Sequence, residues 1–173
     1  MLNPGDSVSL EEIGGSIDGP LYSSESLTIS DQIRNTPLTN AKPDRTQYQI
    51  MRLMNHYAWS YVRIINLSDI RNTISGDLIE DHQRLQVPYL SLFSDYRDTE
   101  RTVWLQHQES KPIVVAWGVN PKLEEMANNA IQKLPIHIKG LQGDEPYQYF
   151  HPLPRKGGEA RRWLERFIRE IEF

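Results

Sequence analysis

The chain reads as an α/β protein, a three-layer α/β/α sandwich around a mainly parallel sheet of about four strands. Three observations predict it. Two short apolar runs rich in β-branched residues, Tyr61 to Leu67 and Pro112 to Gly118, have the composition of strands buried on both faces. Stretches with apolar residues at helical spacing lie between and after them. The resulting order of strand, helix, strand, helices, strand, helix, strand, helix is that of crossover units, which place parallel strands side by side beneath helices.

The elements follow in order. Met1-Leu2 runs into Asn3-Pro4-Gly5, the end of a strand breaking into a tight turn, since Pro cannot continue a strand and Gly admits positive φ. Only Met1 and Leu2 precede Asn3, so the strand is either foreshortened or draws on residues ahead of Met1, and both readings stay open. Residues 6–43 form a long polar loop with more acidic than basic residues. A helix is expected from about Asp44 to Trp59, with Asp44 near its cap and Ile50, Leu53, Met54 and Tyr57 on one face. Between Ser68 and Ser110 the pattern is weakest, with helices beginning near Asp77 and near Asp98. Asn120-Pro121 is an N-cap followed by Pro at the first helical position. It opens a helix with Leu123, Met126, Ala127, Ala130, Ile131 and Leu134 as its core stripe, stopped by Pro135. Ile136 to Ile138 makes a short strand. The last helix, Gly158 to Ile171, buries Trp163, Leu164, Phe167, Ile168 and Ile171.

Composition bounds the function. With 173 residues, 38% hydrophobic and 24% charged, the chain makes one domain, 1–173, with a sizeable core. A net charge of -4 gives no general footprint for nucleic acid, so any such contact is local. The absence of cysteine excludes disulfides, thiolate nucleophiles and Cys-ligated metals. The five histidines show no metal-ligand spacing, so neither a metal nor a cofactor is expected. There is no apolar run of membrane-spanning length and no secretory pattern at Met1, which together predict a cytoplasmic protein without a membrane partner.

Open α/β sheets bind ligands at the carboxyl ends of their strands. Asn3-Pro4-Gly5, Asn66, Trp117-Gly118 and His151-Pro152 end the predicted strands in polar turns, and are expected to meet at one crevice. In series, Met1-Leu2-Asn3-Pro4, Asp44-Arg45-Thr46, Asn66-Leu67 with Arg71, Val115-Ala116-Trp117-Gly118 and His151-Pro152-Leu153 resemble the bacterial and phage family called domain of unknown function 1643. More remotely, the series resembles the uracil-DNA glycosylase superfamily. That second resemblance implies that Asn3 positions a hydrolytic water, that Asn66 reads a nucleobase edge and that His151 supports a leaving base.

The side chains suit those roles. A carboxamide holds a water but is no base, so Asn3 would act by positioning; Asp6 is the nearest carboxylate that could take a proton. Asn66 offers a donor and an acceptor together, as a base edge requires. A neutral His151 could donate to a base oxygen as charge develops there. Pro4, Gly5, Trp117 and Gly118 would shape the pocket, Tyr22 is a candidate for stacking on a base, and Arg71 and Arg155 are candidates for ligand contact, Arg155 in a basic cluster with Lys156, Arg161 and Arg162. Taken alone, Trp117 reads as core more readily than as site, and the Arg-rich helix as a solvated face alternating with Glu159, Glu165 and Glu170. The expected ligand is a nucleobase, nucleotide or nucleic acid. Hydrolysis of an N-glycosidic bond is one expected activity. Its rivals are a non-catalytic binding module and an interaction protein whose acidic 6–43 segment imitates nucleic acid.

Overall fold

A computed structural model describes residues 8–9, 41–70, 80, 90–105, 111–135, 137–154 and 158–173. These residues form a mixed α/β structure. The strands β1 (Val8–Ser9) and β2 (Ala41–Lys42) pair antiparallel, Val8 opposite Lys42. This clip brings together the two ends of the polar segment read as a loop over 6–43, and no alternating pattern in the sequence announces it. The helix α1 follows (Arg45–Tyr57), then α2 (Asp98–Leu105) after a 3-10 turn, β3 (Ile113–Val114), α3 (Glu124–Lys133), β4 (Ile138–Lys139) and α4 (Glu159–Glu170). None of the described helices is long and apolar enough to cross a membrane.

Local chemistry sets the helix ends. Asp44 caps α1 through a reciprocal pair: its Oδ1 accepts from the Gln47 amide at 2.8 Å, and Gln47 Oε1 accepts from the Asp44 amide at 3.0 Å. At the other end Ala58 turns left-handed at φ 55° and the chain leaves the helix. The Asn120 side chain accepts from the Lys122 amide at 3.0 Å with Pro121 at the first position, opening a 3-10 turn that runs into α3. Gly158, at φ 78°, precedes α4.

Two hydrophobic clusters hold the elements together. Val115, Trp117, Leu67 and Phe93 pack with Leu123, Ala127 and Ala130 of the α3 region. Leu53 of α1 packs with Trp163 and Phe167 of α4 and with Leu141, joined by Val114. Val114 and Val115 therefore enter different clusters, as successive side chains of a strand must. The core stripes expected for α3 and α4 are those observed. Gln49 is the polar member of the α1–α4 contact: it is buried, donates to the Ala160 carbonyl at 2.5 Å and accepts from Arg52 at 2.8 Å.

The parallel sheet is smaller than the four strands expected. Among the described residues it comprises β3 and β4, with Ile113 opposite Ile138 and Val114 opposite Lys139. Tyr61 to Leu67 has no strand ladder among the described residues; together with residues 111–117 it lines a cavity of about 500 Å³. The expected helix near Asp77 lies outside the described residues.

Gly140 marks the closest backbone approach at the sheet. A Cβ there would stand 2.3 Å from the Val115 carbonyl oxygen and 2.8 Å from Tyr149 Cδ1. The carbonyl belongs to the strand backbone and has little room to retreat. Gly140→Ala is expected to destabilise the fold by about 1–3 kcal/mol, the range for overpacking, which urea titration would measure.

Candidate functional site

The site is built from the chain ends of three segments. Gly118 and Tyr149 exchange both backbone hydrogen bonds, amide to carbonyl at 2.7 Å and 3.3 Å, which fastens the Trp117-Gly118 tip to the stretch entering His151. Gly118 does this at φ +117°, a conformation that L side chains rarely adopt. The Trp117 indole donates to the Tyr147 carbonyl at 2.7 Å and meets the Tyr149 ring edge-on, with centroids 5.5 Å apart. Downstream, the Phe150 amide donates to the Leu141 carbonyl at 2.8 Å, and the Phe150 carbonyl accepts from the Trp163 indole at 2.9 Å. The loop bearing His151 is thus held by α4 on one side and by the Leu141 turn on the other.

Leu67, Trp117 and Pro152 line the same cavity. Residues from three of the four stretches expected to meet therefore border one cavity. Asn66 and His151 each lie one residue from a lining residue. Ser68, fully buried, follows Leu67 and accepts from the Ile70 amide at 3.1 Å, which turns the chain away from the tip.

Two polar groups at these tips have unusual states. The Asn66 Oδ1 is buried and has no hydrogen-bond partner among the described residues. A buried acceptor left unpaired costs about 1–3 kcal/mol, so its retention calls for a reason. His151 is half-buried, and that desolvation holds its ring far below the ordinary histidine value, to about 4. Its Nδ1 lies 3.1 Å from the Leu153 amide, which donates to it, and 3.2 Å from the Leu153 carbonyl. In the neutral tautomer in which Nδ1 accepts from that amide, Nε2 carries the proton and is the ring's donor.

The remaining sequence candidates divide plainly. Trp117 lines the cavity, but it is only 3% exposed and its indole N–H is already spent on Tyr147, so its contribution is a wall. Gly118 shapes the tip. Asn3, Pro4, Gly5, Asp6, Tyr22, Arg71 and Arg155 lie outside the described residues.

The cavity also has a feature the sequence reading did not single out. Arg63 lies over the Trp104 ring at 4.2 Å from its centroid, and its Nε donates to the Tyr61 hydroxyl at 3.3 Å. Arg63, Trp104 and Lys111 line the cavity, and Arg63 and Lys111 are exposed. The signal was a single charge inside the otherwise apolar Tyr-Val-Arg-Ile-Ile run. Its partner Trp104 is remote in sequence, so only the fold brings the two together.

Compared with protein-family models, with curated proteins and with solved structures, the chain matches none of them.

Proposed function

We propose that the protein binds a nucleobase or nucleotide at the crevice formed by the Asn66, Trp117-Gly118 and His151-Pro152 tips. The observation that carries this reading is the unpartnered, buried Oδ1 of Asn66. A heteroaromatic base with an N–H on its edge supplies the missing donor, while a neutral His151 offers Nε2–H to an exocyclic oxygen. Together they address an edge that presents a donor beside an acceptor, the pattern that distinguishes one base from another. The resemblance to the glycosylase superfamily gave Asn66 and His151 the same roles. The proposal includes the finer architecture of a four-stranded, three-layer sheet, supported by the entry of Val114 and Val115 into clusters with different helices.

Hydrolysis of an N-glycosidic bond is a second reading, favoured by the state of His151. A neutral imidazole poised to donate can stabilise a base departing with negative charge. In that case Asn3 and Asp6 would serve the water.

The test is a thermal-shift panel of nucleobases, nucleosides and nucleotides, because a ligand bound only by the folded state raises its melting temperature. Asn66→Ala should leave the ligand-free melting temperature within about 2 °C of the parent, since removing an unsatisfied acceptor relieves as much as it loses. The same variant should abolish the shift. If no compound in the panel shifts the parent at millimolar concentration, the binding reading fails. Release of free base from the best-binding nucleoside, lost in His151→Asn, would establish the hydrolytic reading.

A further inference from the structure

The cavity behind the tips divides into an apolar floor and a polar mouth. At about 500 Å³ it has the size of a small-molecule site, and the described residues that line it include no Asp or Glu. Indoles apart, its polar side chains are those of Ser60, Tyr61, Arg63 and Lys111, and all four residues are exposed. The buried residues of the lining, among them Leu53, Leu67, Phe93 and Val115, are apolar. Three of the indoles add little polarity. Trp104, Trp117 and Trp163 donate their N–H groups to Glu100, Tyr147 and Phe150, none of which lines the cavity. A ligand inside therefore meets hydrocarbon, and meets charge only where the cavity opens.

That charge is positive and prepared for an anion. Arg63 lies over the Trp104 ring, and its Nε is spent on the Tyr61 hydroxyl. The two contacts steady the guanidinium and leave its terminal nitrogens without a partner among the described residues. Those nitrogens form a fork that matches the two oxygens of a carboxylate. Lys111 adds a second positive charge to the lining. Cations elsewhere are differently placed. Arg97, Arg101, Lys122 and Lys133 each pair with a carboxylate, whereas among the described residues none pairs with Arg63 or Lys111. In a chain of net charge -4, two such cations at an apolar cavity complement an anion that brings an apolar body with it.

We infer that the cavity binds an amphipathic carboxylate of the medium-chain fatty-acid kind, its tail on the apolar floor and its head on the Arg63 fork. The tail gains by leaving water, in proportion to the apolar area it buries. The head keeps its charge because it stays at the exposed rim beside cations instead of being desolvated in the interior. A ribose would bury its hydroxyls against side chains that cannot answer them. The interior of the cavity and the base edge offered by Asn66 and His151, neither of which lines it, therefore call for different ligands. This inference does not rest on the base-edge reading.

The probe is octanoate, titrated calorimetrically into the full chain below the concentration at which it forms micelles, beside octanol and acetate. Octanoate should fill a single site, about tenfold or more tightly than octanol, which lacks the charge-assisted hydrogen bonds. Acetate, which lacks the tail, should not bind. Arg63→Gln should weaken octanoate about tenfold or more and leave octanol unchanged. Lys111→Gln, at the second cation, reads the same loss should the first variant fail to fold. Asn66→Ala should bind octanoate as the parent does, which separates this site from the base edge. Absence of octanoate binding would overturn the inference, as would octanol binding equally well. Equal binding by the parent and both cation variants, or uptake of several octanoates as an adventitious surfactant only, would overturn it too. Loss of octanoate binding in Asn66→Ala would merge the two sites and equally overturn it.

Discussion

Phe167→Ala is expected to lose about 3–5 kcal/mol of stability, the range for truncating a buried aromatic in a core. Phe167 is fully buried on the inner face of α4, stacked on Trp163 with ring centroids 4.9 Å apart and edge-on to Tyr57 of α1 at 6.4 Å. Leu53 completes the cluster from α1, so the truncation empties the contact between the two helices. The backbone around it has little freedom to collapse. Gln49 ties α1 to the Ala160 carbonyl, the Tyr57 hydroxyl donates to the Ile171 carbonyl at 2.9 Å, and the Trp163 indole is fixed on Phe150. A cavity that cannot close raises the cost toward the upper end of the range. Proteins of this size are stable by about 5–15 kcal/mol, so the variant should sit near the edge of folding at 37 °C. Urea midpoints measure it. Phe173→Ala, which trims a half-exposed ring at the rim of the same cluster, provides the comparison and should cost about 1 kcal/mol. Equal losses for the two would contradict the described packing of α4.

The second large effect is a loss of stability in mild acid centred on His151. Its folded value, about 4, lies below the ordinary 6.5 because burial disfavours the charged ring. The unfolded chain therefore takes up a proton near pH 6.5, while the folded chain resists until about pH 4. Proton uptake by the unfolded state means that stability falls as pH falls between those two values. Above about pH 6.5 the contribution is whole, and below about pH 4 no more is lost to this group. The total is on the order of 3 kcal/mol, with about 2 kcal/mol of it gone by pH 5. That upper part of the window separates His151 from Asp95 and Glu170, whose carboxyls are held below the usual range by Lys133 and by Arg169 and Arg166, and which titrate at lower pH. His151→Asn should flatten the stability curve between pH 6.5 and 5. A slope unchanged by the substitution would assign the acid sensitivity elsewhere and return His151 to a charged, solvated state.

The helices were legible because each carries its own instructions. Asp44 and Gln47 sit three residues apart at the start of α1, Asn120-Pro121 opens the turn into α3, and Trp163, Phe167 and Ile171 repeat at the spacing of one helix face. These are local signals, and tertiary packing reinforced them. Strands carry less. The composition of Tyr61 to Leu67 is that of a buried strand, yet pairing needs a neighbouring edge, and among the described residues the space beside it is open. Composition states what a segment can do and not which edge it finds. The antiparallel clip of Val8–Ser9 on Ala41–Lys42 left no trace for the same reason, being too short to show alternation.

The candidate site divides along the same line. The turns near Leu67, Trp117 and Pro152 were readable from turn residues, and these three residues border one cavity. The properties that make the site chemical were not readable. The neutrality of His151 depends on burial; the Oδ1 of Asn66, unpaired among the described residues, depends on what surrounds it in three dimensions. Trp117 shows the converse, since a residue expected to contact a ligand has its indole N–H committed to Tyr147 and serves as wall. Arg63 and Trp104 form a stacked pair that no linear motif encodes.

The central claim, a base edge read jointly by Asn66 and His151, is tested most directly by following those two side chains in solution. A proton–nitrogen NMR titration with nucleosides resolves the Asn66 carboxamide and the His151 ring nitrogens separately. The account predicts that both move together and saturate at one ligand concentration, with the His151 proton remaining on Nε2, and that Asn66→Ala abolishes the movement of His151. Movement of neither group, or movement confined to Arg63 and Lys111, would contradict it.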